Sequence, residues 1–247
     1  MATLAFVQAR MGSVRLPGKV LSPLDGQPSL LRIVQRLSRV EALDGVAVLT
    51  SLAAADDEIA ALCASEEVTC VRGDEDDVLA RFQLAAEQLT PDLVVRLTAD
   101  CPLVDPEVVA NLLDLYASRP EIAYASVATG AIGADAGLRR FPDGLDAEVF
   151  AAGVLEEAWR EASDPFEREH VTPFLWRRPE RFPAATLECE RDLGTERWTV
   201  DHPADLELVR AVYERLSEPF GWRDVLALLE RDPSLRRLNI AHRAQPT

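Results

Sequence analysis

The sequence is short of cysteine, histidine and long apolar runs. Its four cysteines form no Cys-x-x-Cys pair and it has only three histidines, so the ligand spacing of a zinc site is missing and free thiols in a reducing compartment are expected. No stretch approaches the roughly eighteen apolar residues of a membrane span. The first apolar run, Leu4 to Val7, is too short for a signal sequence. These absences predict a cytoplasmic protein with no membrane contact.

Positive charge is also scarce. Lysine and arginine number 26 against 42 aspartates and glutamates, which gives a formal net charge of −16. Because binding to a phosphate backbone requires a basic surface, this balance argues against a nucleic-acid partner. A small anionic ligand needs only a local cluster of cations. The chain has 247 residues, 48% of them hydrophobic, which suits a folded protein with a full core.

The first half alternates short apolar runs with amphipathic segments. The runs predict buried parallel strands at residues 4–7, 46–49, 68–71 and 93–97. Helical periodicity predicts helices at residues 29–40, from 56 onwards, at 76–89 and at 106–116. This alternation predicts an α/β fold with an open, mostly parallel sheet. Ligands bind beyond the carboxyl ends of such strands, which selects the loops at 8–19, 72–77 and 98–105.

The pattern changes after about residue 117. Residues 130–144 are rich in Gly, Ala and Asp and predict a loop or flap, and residues 145–150 predict a half-buried strand. Further helices are expected at 151–162, 168–176, 203–216 and 221–229, and further strands at 184–187 and 198–200. With no repeat and no long linker, we expect one domain over residues 1–247 with an inserted subregion.

The first of these loops carries an unusual set of residues. Residues 8–19, QARMGSVRLPGK, hold two glycines, a serine and the cations Arg10, Arg15 and Lys19. Backbone N–H groups of a glycine-containing turn can bind phosphate oxygens, and the cations would neutralise their charge. It is not a Walker loop, because Val20 stands where Ser or Thr would follow the lysine. The alternative is a basic surface turn that pairs with acidic residues.

Two aspartates end predicted strands far apart in the chain. Asp100 follows the strand at 93–97, and Asp201 follows the strand at 198–200. Two carboxylates at strand ends can share one magnesium ion, which would bridge the protein to a nucleotide phosphate. Taken singly, each aspartate also suits a helix N-cap.

Two further segments carry candidate residues. In residues 72–82, Gly73 lets the chain approach a ligand and Arg81 projects from the following helix. Asp146 and Glu148 lie on the same face of a predicted strand. His170 is either a ligand contact or a packing histidine.

Six segments in this order carry a resemblance: QARMGSVRLPGK, RGDEDDVLARF, RLTADCPLVDP, GLDAEVF, REHVTPF and WTVDHPADL. Over about residues 2–215 the chain resembles the cytidylyltransferase family that includes the spore-coat protein SpsF and is related to the synthetases of CMP-Kdo and CMP-sialic acid. The resemblance implies a nucleotide-diphosphosugar transferase fold, similar to the glycosyltransferase-A type. It also implies a magnesium-dependent transfer of CMP from CTP to a small acidic acceptor, such as a sugar acid, with release of pyrophosphate.

The resemblance also implies roles for individual residues. The nucleotide would contact Ala9, Arg10, Met11, Gly12, Ser13, Arg15, Lys19, Arg72, Gly73, Arg81, Thr98 and Ala99. The catalytic residues would be Arg10, Lys19 and Asp100, and Mg²⁺ would be held by Asp100 and Asp201. The acceptor pocket would be formed by Asp146, Glu148, Glu169 and His170.

Other readings stay open on the sequence. The same fold can act on a phosphonate, a phosphorylated small molecule or a sugar phosphate, can use another nucleotide, or can bind a nucleotide without catalysis. The basic residues available for an acidic group on the acceptor are Arg139, Arg140 and Arg168. The resemblance implies a homodimer formed through residues 131–176, with either an interface or a core role for Phe141, Phe150, Val171, Phe174 and Trp176.

Overall fold

The computed structural model describes residues 1–129 and 138–242. Within these ranges the strands are β1 (Thr3–Gln8), β2 (Pro23–Leu24), β3 (Gln27–Pro28), β4 (Gly45–Ser51), β5 (Thr69–Gly73), β6 (Leu93–Thr98), β7 (Tyr124–Val127), β8 (Glu148–Ala151) and β9 (Ala184–Leu187). The helices are α1 (Ser29–Leu37), α2 (Asp57–Ser65), α3 (Val78–Leu89), α4 (Pro106–Ala117), α5 (Ala152–Glu161), α6 (Pro165–His170), α7 (Pro173–Trp176), α8 (Pro203–Arg215) and α9 (Trp222–Arg231). Residues 130–137, which are the first half of the predicted flap and include the start of the predicted subregion at 131–176, lie outside the described residues.

The main sheet has the strand order β5-β4-β1-β6-β8-β7-β9. Strand β1 pairs in parallel with β4 and β6, β4 pairs in parallel with β5, and β7 pairs in parallel with β9. Strand β8 runs antiparallel to both β6 and β7. This topology confirms the predicted α/β fold with an open, mostly parallel sheet. The register pairs Gln8 with Thr98, which places the carboxyl ends of β1 and β6 side by side.

Helices cover both faces of the sheet. Along β1, Ala5 and Val7 belong to a buried core with α1, α4, α8 and α9, whereas Phe6 belongs to a second core with α3, α5 and α7. Because neither face meets water, the central strands are apolar at almost every position. This is why short continuous apolar runs were sufficient to predict them. No helix among the described residues has the length and the hydrophobicity that crossing a bilayer requires.

The second half departs from its predicted elements in three places. The predicted helix at 168–176 is two helices, because Val171 adopts a φ of 70° and Pro173 begins α7. Residues 198–200 form no strand, and Val200 N donates instead to Asp100 O at 2.7 Å. Strand β8 is buried rather than half-buried, since Glu148 is paired inside the core.

A tight turn at Gly144 brings the segment after β7 against residues 198–200. Gly144 has a φ of 109°, and a Cβ atom there would lie 2.5 Å from Thr199 N. Only glycine fits both the conformation and the close approach. On the residue before the turn, Asp143 O accepts hydrogen bonds from Trp198 N at 2.6 Å and from Thr199 N at 3.1 Å.

The apolar residues considered for a dimer interface are mostly core residues. Phe141, Phe150, Val171 and Phe174 are each at most 6% exposed within one chain. Trp176 is 43% exposed. Burial in the core of the monomer removes the first four from any interface between copies.

A buried arginine connects α1 to the C-terminal part of the chain. Arg36 is 0% exposed; its guanidinium donates to Val104 O at 2.6 Å, to Glu218 Oε1 at 2.7 Å and to Phe220 O at 3.0 Å. The same guanidinium lies over the ring of Phe220. Because all three acceptors are on other segments, Arg36 has a structural role.

We expect Arg36→Met to destabilise the fold by about 3 kcal/mol, because it removes one partner of a buried ion pair and leaves buried carbonyl groups without a donor. Arg39→Met is the matched control: Arg39 binds the same Glu218 at 2.7 Å but is partly exposed, so its loss costs less than about 1 kcal/mol. Urea unfolding of both variants measures the difference. Equal losses would contradict the structural role of Arg36.

Candidate functional site

An open cavity of about 560 Å³ lies beyond the carboxyl ends of β1 and β6. Most of the site residues expected from the sequence line it, namely Ala9, Arg10, Ser13, Arg15, Lys19, Arg81, Thr98, Ala99, Asp100, Glu169, His170 and Asp201. Gln8 and Arg96, which the sequence did not single out, line it as well. The expected residues that do not line it are Met11, Gly12, Arg72, Gly73, Asp146 and Glu148.

The first loop is closed on itself and anchored to the sheet. Met11 O accepts from Gly18 N at 3.0 Å, and Gly18 has the positive φ that this turn needs. Met11 N donates to Asp56 Oδ1 at 2.7 Å. Although burial by itself raises the pKa of Asp56, the hydrogen bonds from Met11 and Ser51 outweigh it and lower the pKa. The N–H of Met11 is therefore occupied by Asp56, so Met11 holds the loop in place rather than facing the cavity.

Lys19 is the only lysine in the sequence, and it joins three distant segments. Its Nζ donates to Asp100 Oδ2 at 3.2 Å, to Val200 O at 2.8 Å and to Asp201 Oδ1 at 2.9 Å. An ammonium group has three N–H donors, and each has one acceptor here. The two predicted carboxylates thus converge on a single cation at the edge of the cavity. Arg15 adds a second contact to Asp201 Oδ1 at 3.0 Å.

The other oxygen of Asp201 is held by a residue that sequence reasoning missed. Arg197 donates to Asp201 Oδ2 at 2.8 Å and also binds Asp143 at 2.7 Å and Asp205 at 3.3 Å. Burial alone raises the pKa of Asp201, but the hydrogen bond and charge of Lys19, with Arg197, lower it to about 2. Asp201 is therefore a carboxylate over the whole working pH range. A basic residue four positions before a candidate aspartate was the available signal.

The two carboxylates at this edge of the cavity fit a metal ion that binds together with a nucleotide. Among residues 1–129 and 138–242 no group of three or more His, Cys, Asp or Glu side chains is placed to hold a metal. Asp100 and Asp201 nevertheless meet at one cation, the ammonium of Lys19. Mg²⁺ binds in nucleotide sites through one or two carboxylates, with phosphate oxygens and water completing its shell. Two carboxylates fit that arrangement, whereas a metal held by protein alone would need more.

Arg81 forms another part of the wall. It is 3% exposed, its Nε has no partner among the described residues, and burial lowers its pKa. Gly73 packs against it, since a Cβ at Gly73 would lie 3.1 Å from Arg81 Cγ. Gly73 therefore makes room for Arg81 instead of touching a ligand. The Arg72 side chain lies over the loop after β4 and binds Asp57 at 2.7 Å, so it is directed away from the cavity.

The arginines considered for an acidic acceptor group are engaged elsewhere. None of the three lines the cavity. Each is paired with a carboxylate of its own, as Arg139–Glu188 at 3.7 Å, Arg140–Asp192 at 3.2 Å and Arg168–Asp77 at 2.9 Å.

The two acidic residues expected near the acceptor lie beneath the cavity. Asp146 accepts from the Thr129 hydroxyl and from Gly144 N at 2.8 Å; burial, with the charge of Asp143, raises its pKa to about 7. Glu148 is 1% exposed and accepts from Arg96. Neither side chain is open to the cavity, because each is enclosed by its own donors.

Glu169 and His170 line the cavity from the end of α6. The ring of His170 also packs 4.3 Å from that of Phe166, centroid to centroid. The two roles left open for this histidine, ligand contact and packing, are therefore compatible.

Comparisons with known proteins agree with this geometry. Residues 4–218 match the model of a family described as cytidylyltransferase. The spore coat polysaccharide biosynthesis protein SpsF of Bacillus subtilis is 33% identical over 93% of this chain and 95% of its own length. A 3-deoxy-manno-octulosonate cytidylyltransferase of an Anaeromyxobacter species is 36% identical over 47% of this chain and 48% of that enzyme.

A solved structure extends the agreement to the whole chain. The structure of a cytidylyltransferase from Leptospira borgpetersenii superposes with a TM-score of 0.88 at 29% identity, and the match covers 100% of both chains. The chain belongs to the cytidylyltransferase family.

Proposed function

We propose that this protein transfers CMP from CTP to a small acidic acceptor, releases pyrophosphate and depends on Mg²⁺. The observation that carries the proposal is the convergence of Asp100 and Asp201 on Lys19 at the edge of a cavity that Arg10 and Arg15 also line. Membership of the cytidylyltransferase family supports CTP as the nucleotide. The relative named as a 3-deoxy-manno-octulosonate cytidylyltransferase supports a sugar acid as the acceptor.

The reaction requires a negatively charged centre to accept a nucleophile. An oxygen of the acceptor attacks the α-phosphorus, the bond from this phosphorus to the bridging oxygen breaks, and pyrophosphate leaves with that oxygen. Charge repulsion and misalignment are the main obstacles, so positioning and cationic stabilisation are what the protein must supply. Arg10, Arg15 and Lys19 would neutralise the triphosphate and stabilise the leaving pyrophosphate.

Asp100 and Asp201 would hold the magnesium ion. When bound, Mg²⁺ supplies positive charge that polarises the α-phosphate. We expect Lys19 to exchange its carboxylate contacts for phosphate oxygens when the nucleotide enters, because the ammonium group is compact and flexible on its stem. Arg197 would keep Asp201 oriented throughout, since its contacts with Asp143 and Asp205 do not involve the cavity.

Glu169 and His170 would contact the acceptor, while Asp146 and Glu148 would support the floor from below. The homodimer and the cytoplasmic location stay predictions. Any interface would use surface other than the buried aromatic residues of α7 and β8.

The direct test is a pyrophosphate-release screen. CTP, UTP, ATP and GTP are each combined with Mg²⁺ and a panel of sugar acids, sugar phosphates and phosphonates. We expect turnover with CTP and a sugar acid, and none when EDTA removes the metal. Turnover with another nucleotide but not with CTP would reject the proposal, and so would the absence of turnover with every acid in the panel.

Substitution of the central charges should abolish most activity. We expect Lys19→Ala and Asp100→Ala each to lower the turnover of CTP at least about a hundredfold, the scale of losing one transition-state contact. Lys19→Arg should also fail, because a planar guanidinium cannot direct single N–H groups to three surrounding acceptors. The control is Arg223→Ala, which removes an exposed ion pair with Glu107 and should keep full activity. Near-normal rates for the first two variants would remove their assigned roles.

The single lysine allows the nucleotide to be located chemically. A lysine-selective acylating reagent can modify only Lys19 and the N-terminal amine of this chain. We expect CTP with Mg²⁺ to protect Lys19 from acylation while the N-terminal amine, as internal control, reacts at an unchanged rate. Peptide mass spectrometry measures both, and equal labelling with and without CTP would contradict the proposed phosphate contact.

Asp146 should make stability depend on pH. Its pKa is about 7 in the folded protein against a reference of 3.8. Between these values the folded protein binds one more proton than the unfolded chain, so the stabilising contribution is present at acid pH and is lost as the pH rises through 7. Asp146→Asn mimics the protonated acid. We expect its Tm to equal that of the natural protein at pH 3, below both values, and to exceed it by a margin that grows up to about pH 8; parallel Tm curves would contradict the raised pKa.

A further inference from the structure

We propose, on the basis of the CMP transfer proposed above, that Arg96 and Gln8 form the subsite for the carboxylate of the acceptor. Both residues line the cavity, on the adjacent strands β6 and β1. The arginines that the sequence suggested for this role point elsewhere, as described above. A sugar acid bound at Arg96 would be held by its carboxylate at the floor of the cavity.

Arg96 is a charged residue in the middle of a buried, otherwise apolar strand. The other β6 residues from Leu93 to Leu97 are Val and Leu. The Arg96 side chain is 9% exposed, yet it lines the cavity. Removing a guanidinium from water is costly, and a buried charge in a cleft is more typical of a functional site than of a core.

The guanidinium is held in place from below. Its Nη1 donates to Glu148, and Glu148 Oε1 also accepts from the Tyr124 hydroxyl and from the Thr172 hydroxyl at 2.7 Å. Its Nη2 donates to Gln8 Oε1 at 3.0 Å. All of these partners except Gln8 are buried. Such a network fixes the direction of the cation before a ligand arrives, which lowers the cost of binding.

Arg96 keeps donors for a ligand. A guanidinium has five N–H groups, of which Glu148 and Gln8 take two. Its Nε is buried and has no partner in the part of the chain that the structure describes. One N–H group therefore remains on each terminal nitrogen. Two N–H groups are what a carboxylate accepts from arginine.

The position of Arg96 along the sheet separates it from the nucleotide. Arg81 packs against Gly73, which ends β5, and the charge of Arg10 acts on Arg81. Arg96 lies on the other side of β1, on β6, and its ion pair reaches β8. Lys19 and Arg15 lie with Asp201 at the edge of the cavity, where we have proposed that the triphosphate binds. The cavity thus has cations at two places, and we assign the one on β6 to the acceptor.

The charge of the pair favours a carboxylate over a phosphate. Arg96 and Glu148 together carry no net charge, and the Glu148 carboxylate is directly behind the guanidinium. A singly charged carboxylate can be held by two hydrogen bonds at such a place. A doubly charged phosphate would meet the repulsion of Glu148 without a second cation to offset it.

The test is the double variant Arg96→Gln/Glu148→Gln. It removes both charges together, so no lone buried carboxylate is left to unfold the protein. Pyrophosphate release is measured with CTP and two acids, 3-deoxy-manno-octulosonate and N-acetylneuraminate, each beside its neutral methyl ester. The affinity for CTP with Mg²⁺ is measured separately by calorimetry. The control is Arg140→Gln/Asp192→Asn, which removes an ion pair outside the cavity.

We expect the double variant to raise KM for the acid at least about thirtyfold, on the scale of losing charge-assisted hydrogen bonds. Its preference for acid over ester should disappear, while the Kd for CTP changes less than about threefold, as expected when only acceptor contacts are lost. The control should behave as the natural protein does.

Each of the other possible results would reject a defined part of the proposal. An unchanged KM and acid preference would reject Arg96 as the subsite and leave CMP transfer standing. A raised KM in the control alone would place the carboxylate at the flap instead. A higher Kd for CTP with an unchanged KM for the acid would assign Arg96 and Gln8, at the floor of the cavity, to nucleotide binding. Turnover of phosphorylated acceptors but of neither carboxylic acid would reject both the carboxylic-acid acceptor and its subsite.

Discussion

The site depends on one ammonium group surrounded by oxygen atoms. Lys19 Nζ holds Asp100, Val200 and Asp201 at distances of 2.8–3.2 Å, and these residues come from segments far apart in sequence. Without a cation between them, two partly buried carboxylates would repel each other and separate. The same property that stabilises the cluster makes it receptive to a divalent cation and a triphosphate, because either supplies charges that can take over these contacts.

The cations that an anionic ligand requires are concentrated in the cavity of an otherwise acidic chain. It is strongly acidic overall, yet the cavity is lined by Arg10, Arg15, Lys19, Arg81 and Arg96. Partial burial strengthens their interactions with an anionic ligand, since the effective dielectric constant there is lower than in water. Most other arginines among the described residues form ion pairs between segments, as Arg36 does with Glu218. Arg36 makes its hydrogen bonds to other segments of the chain and lies away from the cavity, whereas Arg96 is paired with Glu148 and also lines the cavity.

The acidic residues around the cavity lie at two levels. Asp100 and Asp201 reach the cavity, whereas Asp146 and Glu148 lie under its floor and act through their neighbours. Arg197 connects Asp201 to Asp143, the residue before the Gly144 turn. Asp201 and Arg96 are each oriented by an ion-pair partner, Arg197 and Glu148 respectively, before any ligand binds.

The sequence by itself determined the parallel strands, the loops at their carboxyl ends and the residues that meet at Lys19. Those features follow from local patterns: apolar runs, helix starts and polar clusters. Tertiary structure alone decided that Arg96 pairs with Glu148, that Glu148 is withdrawn from the cavity and that Arg197 bridges Asp201 to Asp143. The antiparallel register of β6 and β8, and the packing of the Gly144 turn on Thr199, bring together residues 50 or more positions apart. Such pairing is set by long-range packing, which leaves no periodic signal in the chain.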